Sequence, residues 1–172
     1  MSARVIDVGA GHEPDPRATE TADLHAVGAD HQFDIRDEWP FEAASVDGVV
    51  LSHVLEHVSE QAAVLREAAR CLVDGGWLEV TVPVGADADA DPDHKRTWTY
   101  ATPELFAADG RTRHWDDPLP LRLVEREANV WLFPPFSRVS PLLQALADRW
   151  PAEAVRRCSA GEIVATYRRV DR

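Results

Sequence analysis

Between residues 46 and 82 the chain spells a strand, a helix and a second strand, and that order constrains the fold more than any other stretch. Val46-Asp47-Gly48-Val49-Val50-Leu51-Ser52 is an apolar run with polar ends, the length of a buried strand. From Ser59 to Val73, Ala62, Ala63, Leu65, Ala69, Leu72 and Val73 recur at helical spacing. Ser59 is the expected N-cap, and Gly75-Gly76 is expected to stop the helix and lead into Trp77-Leu78-Glu79-Val80-Thr81-Val82. Strands joined through a helix run parallel, with a right-handed crossover in nearly all cases. The fold class is therefore α/β with a mostly parallel central sheet.

The chain also opens on a strand. Val5-Ile6-Asp7-Val8 runs into the turn Gly9-Ala10-Gly11, where an acid sits on a buried strand and glycines let the backbone approach a ligand without Cβ clashes. Further strands are expected at Ala18 to Leu24, Ala29 to Asp34, Arg122 to Leu132 and Glu162 to Val170, and helices at Thr102 to Asp109 and Pro141 to Trp150. The late strands could finish a mixed sheet whose last strand is antiparallel. At 172 residues the chain has the length of one domain with a sizeable core.

Charge narrows the function classes. The formal net charge is -12, Lys95 is the sole lysine, and such an acidic, lysine-poor make-up resembles proteins of salt-loving archaea. A surface of that sign disfavours direct nucleic-acid binding, although Arg156-Arg157 and Arg168-Arg169 are locally basic. No run approaches the roughly 20 apolar residues of a membrane span, and the first residues lack signal-peptide order, so the expected location is the cytoplasm. Cys71 and Cys158 are read as buried thiols.

Taken together, Val5 to Gly11, Trp39-Pro40-Phe41, Val46 to Val58 and Gly75 to Pro83 resemble the class I S-adenosylmethionine-dependent methyltransferases of the methyltransferase type 11 group. Leu51-Ser52-His53-Val54-Leu55-Glu56-His57-Val58, followed by Leu65 to Leu72 and Gly75-Gly76, carries most of the match, which covers Val5 to about Tyr100. The resemblance implies a single Rossmann-like, seven-stranded-type methyltransferase domain with helices on both faces, a cofactor half in 1–85 and a substrate side in 86–172. It implies S-adenosyl-L-methionine as cofactor and assigns binding roles to matching positions. Asp7, Gly9, Ala10 and Gly11 would line its methionine end, Asp23 would accept from the ribose hydroxyls, and Asp34 and Ile35 would meet the adenine. Ser52, His53 and Leu55 would border the sulfonium. His53 is the first candidate to position or deprotonate a nucleophile, and His94, with Tyr100, could close the pocket unless it pairs with an acid of its own loop. The acceptor is expected to be a small molecule, with a protein partner or a homodimer left open.

The chain departs from the family's pattern behind the turn. Glu13 stands where a third glycine is usual, and only eleven residues, two of them prolines, separate Gly11 from Asp23. A helix of about 11 residues does not fit there with its flanking turns, so the first helix is expected to be short or absent. That shortening motivates a rival reading as a catalytically inactive binding or regulatory subunit. Gly9→Val is expected to abolish cofactor binding while leaving a folded protein.

Other motifs carry less. His53-Val54-Leu55-Glu56-His57 satisfies the His-x-x-Glu-His zinc-hydrolase pattern, but the preceding strand ends at Ser52, which puts the motif on a turn rather than along a helix. Asp87, Asp89, Asp91 and Asp93 alternate as in a calcium loop, yet Pro92 and Trp98 occupy the glycine and glutamate positions, leaving a solvated acidic loop. No metal ligands are assigned. Trp131-Leu132-Phe133-Pro134-Pro135-Phe136 is apolar enough for a pocket wall or a docking surface, with core packing the default.

Overall fold

The computed structural model describes residues 3–25, 27–110, 118–131 and 140–171. Strands β1 (Val5–Val8), β2 (Glu20–Ala22) and β3 (Val46–Ser52) precede helix α1 (Gln61–Cys71) and strand β4 (Leu72–Val84). Helix α2 (Ala86–Ala90), strand β5 (Leu121–Trp131), helices α3 (Ser140–Arg149) and α4 (Pro151–Arg157), and strand β6 (Ala160–Arg169) complete the chain. Short 3-10 turns cover Leu55–His57 and Thr102–Phe106.

The described strands form one six-stranded sheet in the order β2-β1-β3-β4-β6-β5. β2, β1, β3 and β4 are parallel, and β6 runs antiparallel to both of its neighbours, β4 and β5. The fold is thus the expected Rossmann-like class, with helices around a mostly parallel sheet. Period-2 alternation builds its core: Leu78, Val80 and Val82 of β4 are buried and face Tyr167, Ala165 and Ile163 of β6. Against this core α1 contributes Val64, Leu65, Ala68 and Ala69. The thiols of Cys71 and Cys158 are free and buried, and burial pushes both pKa values up.

No helix stands between β1 and β2, as the short spacing predicts. In its place the segment around Arg17 lies on the other face of β4, where Trp77, Glu79 and Thr81 are only half-buried. The guanidinium of Arg17 stands 5.1 Å from the Trp77 ring centroid and pairs with Glu79 at 2.5 Å and Asp15 at 2.7 Å.

Elsewhere the elements differ from expectation. The strand expected at Ala29 to Asp34 is a single bridge, Ala22 to His31, so six strands rather than seven are described. Its polar side chains bond locally instead: Asp30 accepts from the Thr21 amide at 2.8 Å, and His31 Nε2 lies 2.7 Å from Glu20. Helix α1 ends at Cys71, before the glycine pair, because β4 already begins at Leu72. Gly75, at φ +72°, falls in the register shift between the Val46/Leu72 and Gly48/Trp77 pairs. Glu60 rather than Ser59 is the N-cap, without a side-chain bond. Part of the expected acidic loop is helix α2, which seats Ala88 in the interior. α4 was not anticipated; Pro151 occupies its first turn, the position where a missing N–H costs nothing. Trp131 is 39% exposed rather than core, and residues 132–136 lie outside the described residues. Among the described residues no helix is long and apolar enough to cross a membrane.

Candidate functional site

The chain leaves β1 for β2 on one side and then crosses to β3 on the other, so the strand order reverses at β1/β3. Ligands of open α/β sheets bind at such a reversal, outside the carboxyl ends of the strands. A cleft of about 430 Å³ lies there, within the usual size range of small-molecule sites. It brings together Gly9, Asp23, Asp34, Ile35 and His53 from the expected set. Leu24, His25, Arg36, Val54, His57 and Val58 complete the lining and were not assigned from sequence.

The glycine turn is built into the fold. Gly9 adopts φ +81°, and a Cβ there would stand 2.3 Å from Cγ2 of Val54. Gly9→Val therefore damages the turn itself and is not the clean test of cofactor binding that the sequence suggests. The Gly9 and Ala10 amides donate to Ala22 O at 2.7 and 3.2 Å, so these N–H groups tie the turn to β2. Asp23 closes the same loop, accepting from the Gly11 amide at 3.0 Å and the His25 amide at 2.6 Å.

Asp7, Ala10, Gly11, Ser52 and Leu55 do not line the cleft. Asp7 is 3% exposed and its Oδ2 accepts from the Asp15 amide at 2.7 Å. Burial raises its pKa, a tendency the Asp15 amide opposes. Leu55 is fully buried core, and its carbonyl accepts from Gln61 Nε2. Ser52 ends β3, exposed.

Three carboxylates in and beside the cleft are already engaged by cations. Asp34 receives the Arg36 guanidinium and amide, which hold its pKa down to about 2. His53, at φ +55°, has Nε2 3.6 Å from Glu162 Oε2 and Nδ1 3.5 Å from Glu56 Oε1. The Glu162 and Glu56 carboxylates push the imidazole pKa up to about 9, against the effect of burial. His53 is therefore held protonated at neutral pH, and a protonated ring has no lone pair with which to accept a proton. Glu56 belongs to the His-x-x-Glu-His run, whereas Glu162 arrives from β6 and carries no local signal.

His94 lies outside the cleft lining. Its Nδ1–H donates to Ala88 O at 2.8 Å, and Nε2 is 3.7 Å from Asp91 Oδ2, so it does meet an acid of its own loop. Its ring centroid is also 5.1 Å from that of His57. Tyr100 is turned elsewhere, with the Arg126 guanidinium 3.9 Å from its ring centroid. It lines a larger cleft of about 600 Å³ with Gly85, Trp98, Val155 and Arg156. That cleft is bigger, but it holds none of the strand-end residues at the sheet's reversal.

A methyltransferase-domain family model matches residues 1–129. No curated protein matches the chain by sequence. Among solved structures the fold is similar to an S-adenosylmethionine-dependent methyltransferase from Archaeoglobus fulgidus, with TM-score 0.63 and 11% identity over 97% of this chain and 86% of that one. It is similar as well to the Bacillus halodurans protein BH2331, described as a methyltransferase, with TM-score 0.63 and 16% identity over 99% and 94% of the two chains. A chain from the complex of the Haloferax volcanii Trm112 methyltransferase activator with a methyltransferase aligns with TM-score 0.61 and 15% identity over 99% and 84%. At these identities the structures speak to fold alone, and the family model adds the sequence relationship. The chain belongs to the methyltransferase-domain family, and its fold is similar to that of a solved S-adenosylmethionine-dependent methyltransferase.

Proposed function

We propose that the protein methylates a small-molecule acceptor, with S-adenosyl-L-methionine bound in the 430 Å³ cleft. The observation that carries this reading is the convergence of Gly9, Asp23, Asp34, Ile35 and His53 at the reversal of strand order. When bound, the cofactor supplies a methyl group on a sulfonium, open to in-line displacement. Such a displacement needs alignment more than a strong base. Asp23 accepts from the ribose hydroxyls, Ile35 packs on the adenine, and Asp34 takes the exocyclic amine as Arg36 swings aside from an exposed ion pair. Asp7, Gly11 and Ala10 act behind these, holding the turn in shape through Asp15, Asp23 and Ala22. His53, held cationic with both N–H groups turned to Glu56 and Glu162, positions the acceptor by its shape and charge at the cleft instead of removing its proton. The cofactor side then falls in 1–85 and the acceptor side in 86–172, where the 600 Å³ cleft lies almost entirely.

One observation favours the rival reading as a non-catalytic binding subunit. The Gly9 and Ala10 amides are spent on Ala22 O, and no helix N-terminus follows the turn to face an anionic group. The Haloferax volcanii relative sits in a complex with an activator protein, which makes a partner worth seeking by co-purification. Calorimetry with S-adenosylmethionine and S-adenosylhomocysteine in high salt separates the readings. Heat for both at one site per chain supports the enzyme, and silence from both removes its donor site.

A further inference from the structure

The run that failed as a helical zinc motif regroups in three dimensions. His53 stands before the 3-10 turn Leu55–His57 in a left-handed conformation, so His53 and His57 do not pair along one helical face. Instead Glu56 and His57 meet His94 from the loop after α2, and one ligand atom of each lies within 4.8 Å of the other two.

The three side chains are prepared for a cation in different ways. Glu56 is 2% exposed, and its Oε2 is buried with no hydrogen-bond partner. A buried carboxylate oxygen without a donor is costly, and a metal ion is one of the few groups that repays it. His94 Nδ1 faces the Ala88 carbonyl and His57 Nδ1 the Asp93 carbonyl, at 2.8 and 3.4 Å. A carbonyl only accepts, so in each neutral ring the proton sits on Nδ1 and Nε2 is left as a lone pair; at His94 that lone pair stands 3.7 Å from Asp91 Oδ2, a repulsion that a cation there would offset. Outer bonds of this kind fix the orientation of metal-binding histidines.

The two segments are also clamped together by backbone. The Glu56 carbonyl accepts from the amides of Lys95 at 2.6 Å and Arg96 at 3.2 Å, one residue from His94. Gln61 Nε2 donates to Leu55 O, and Trp98 Nε1 donates to Gln61 Oε1 at 2.9 Å, which extends the clamp on both sides. Donors around a four-coordinate ion stand roughly 3.4 Å apart, so the cluster needs a ring movement on the order of 1 Å. His57 is exposed and its 3.4 Å contact to Asp93 O is the longer of the two outer bonds, so it is the ring that makes the movement.

We infer that Glu56, His57 and His94 form a binding site for one divalent transition-metal cation. Two imidazole nitrogens and one carboxylate suit zinc, cobalt or manganese better than calcium, which takes six or more oxygens. Three protein ligands leave further positions open. Because His57 also lines the cofactor cleft, the ion borders that cavity. There it could hold and acidify an acceptor oxygen, a role that rests on the methyl-transfer reading, whereas the site itself does not.

The test is calorimetric titration of chelator-stripped protein with Zn²⁺ and, separately, Co²⁺, in enough salt to screen the -12 surface. One ion per chain is expected, with a visible cobalt absorption band. His57→Ala, which removes an exposed side chain, and His94→Ala should each weaken binding at least about 10-fold. The double variant keeps every carboxylate, so equal uptake by it would expose non-specific binding to the acidic surface and overturn the site. No stoichiometric uptake by the parent protein overturns it too. Circular dichroism checks the fold of each variant, and if His94→Ala does not fold, His57→Ala alone decides. A parallel titration with S-adenosylmethionine keeps the two readings apart: metal without cofactor sinks the methyl transfer only, and cofactor without metal sinks the metal site only.

Discussion

Residues 5–36 and 46–84 each give two parallel strands to the same sheet, yet they are held by different forces. In 46–84, α1 lays Val64, Leu65, Ala68 and Ala69 on the sheet, and burial does the holding. Among the described residues of 5–36 no helix is present, and directional polar contacts replace it: Glu20 with Arg4 and with His31, Asp7 with the Asp15 amide, Asp23 with the Gly11 amide. The polar unit carries the cleft, and its geometry depends on charge, pH and whatever occupies the site.

The largest effect should come from breaking the apolar unit. Leu65 is fully buried, so Leu65→Ala should cost about 2–5 kcal/mol, the loss of burial plus a cavity, measured by chemical denaturation. A cost well under about 1 kcal/mol would mean that 46–84 is not the stabilising half. Next comes the turn. Gly9→Ala meets both a positive φ and the Val54 side chain, a strain of about 1–3 kcal/mol, and Gly9→Ala/Val54→Ala should recover the part due to the clash. If the double variant recovers nothing, Val54 is not what confines the turn.

The two units also differ in how much the amino-acid sequence discloses. Hydrophobic periodicity made β3 legible to the residue and α1 to within its ends, because burial acts on neighbours in sequence. The missing helix was equally plain from the prolines and the eleven-residue gap. The strand expected at 29–34 failed because Asp30 and His31 bond to β2 through side chains, a choice that patterning does not register. At the site, of the residues to which the family resemblance pointed, Gly9, Asp23, Asp34, Ile35 and His53 line the cleft, whereas Asp7, Ala10, Gly11, Ser52, Leu55 and His94 do not. Glu162 was out of reach because β6 brings it beside His53 from the far end of the chain. The state of His53 depends on that distant partner and the state of Asp34 on Arg36 two residues on, so their residue types alone did not convey it.

Acid should separate the units further. Arg4 and His31 hold the Glu20 carboxyl down to about 2, below the ordinary value of 4.5. A carboxyl depressed on folding stabilises fully above its unfolded pKa, and that stabilisation is lost as pH falls through about 2. We expect a loss of about 1–2 kcal/mol across that window once solvent screening is allowed for, and Arg4→Ala should flatten it. An unchanged pH slope in Arg4→Ala would mean that the Arg4 pair contributes nothing to β2.

The smallest effect tests what stands in for the missing helix. Arg17 is half-exposed, pairs with Asp15 and Glu79, and lies over Trp77. Exposed ion pairs contribute little, so Arg17→Ala should cost about 0–1 kcal/mol. Stability is therefore a blunt readout, and Trp77 a sharper one: removing the guanidinium bares the indole and should shift its emission to longer wavelength, against the background of the other tryptophans. If the ion pairs hold Arg17 in place, raising the salt in the parent protein should reproduce part of that shift by screening them. If contact with the ring holds it, salt should leave the emission where it is and only the variant should move. Emission unchanged by both would mean that the segment around Arg17 does not cover β4 in solution, and the polar unit would then have no substitute for its helix.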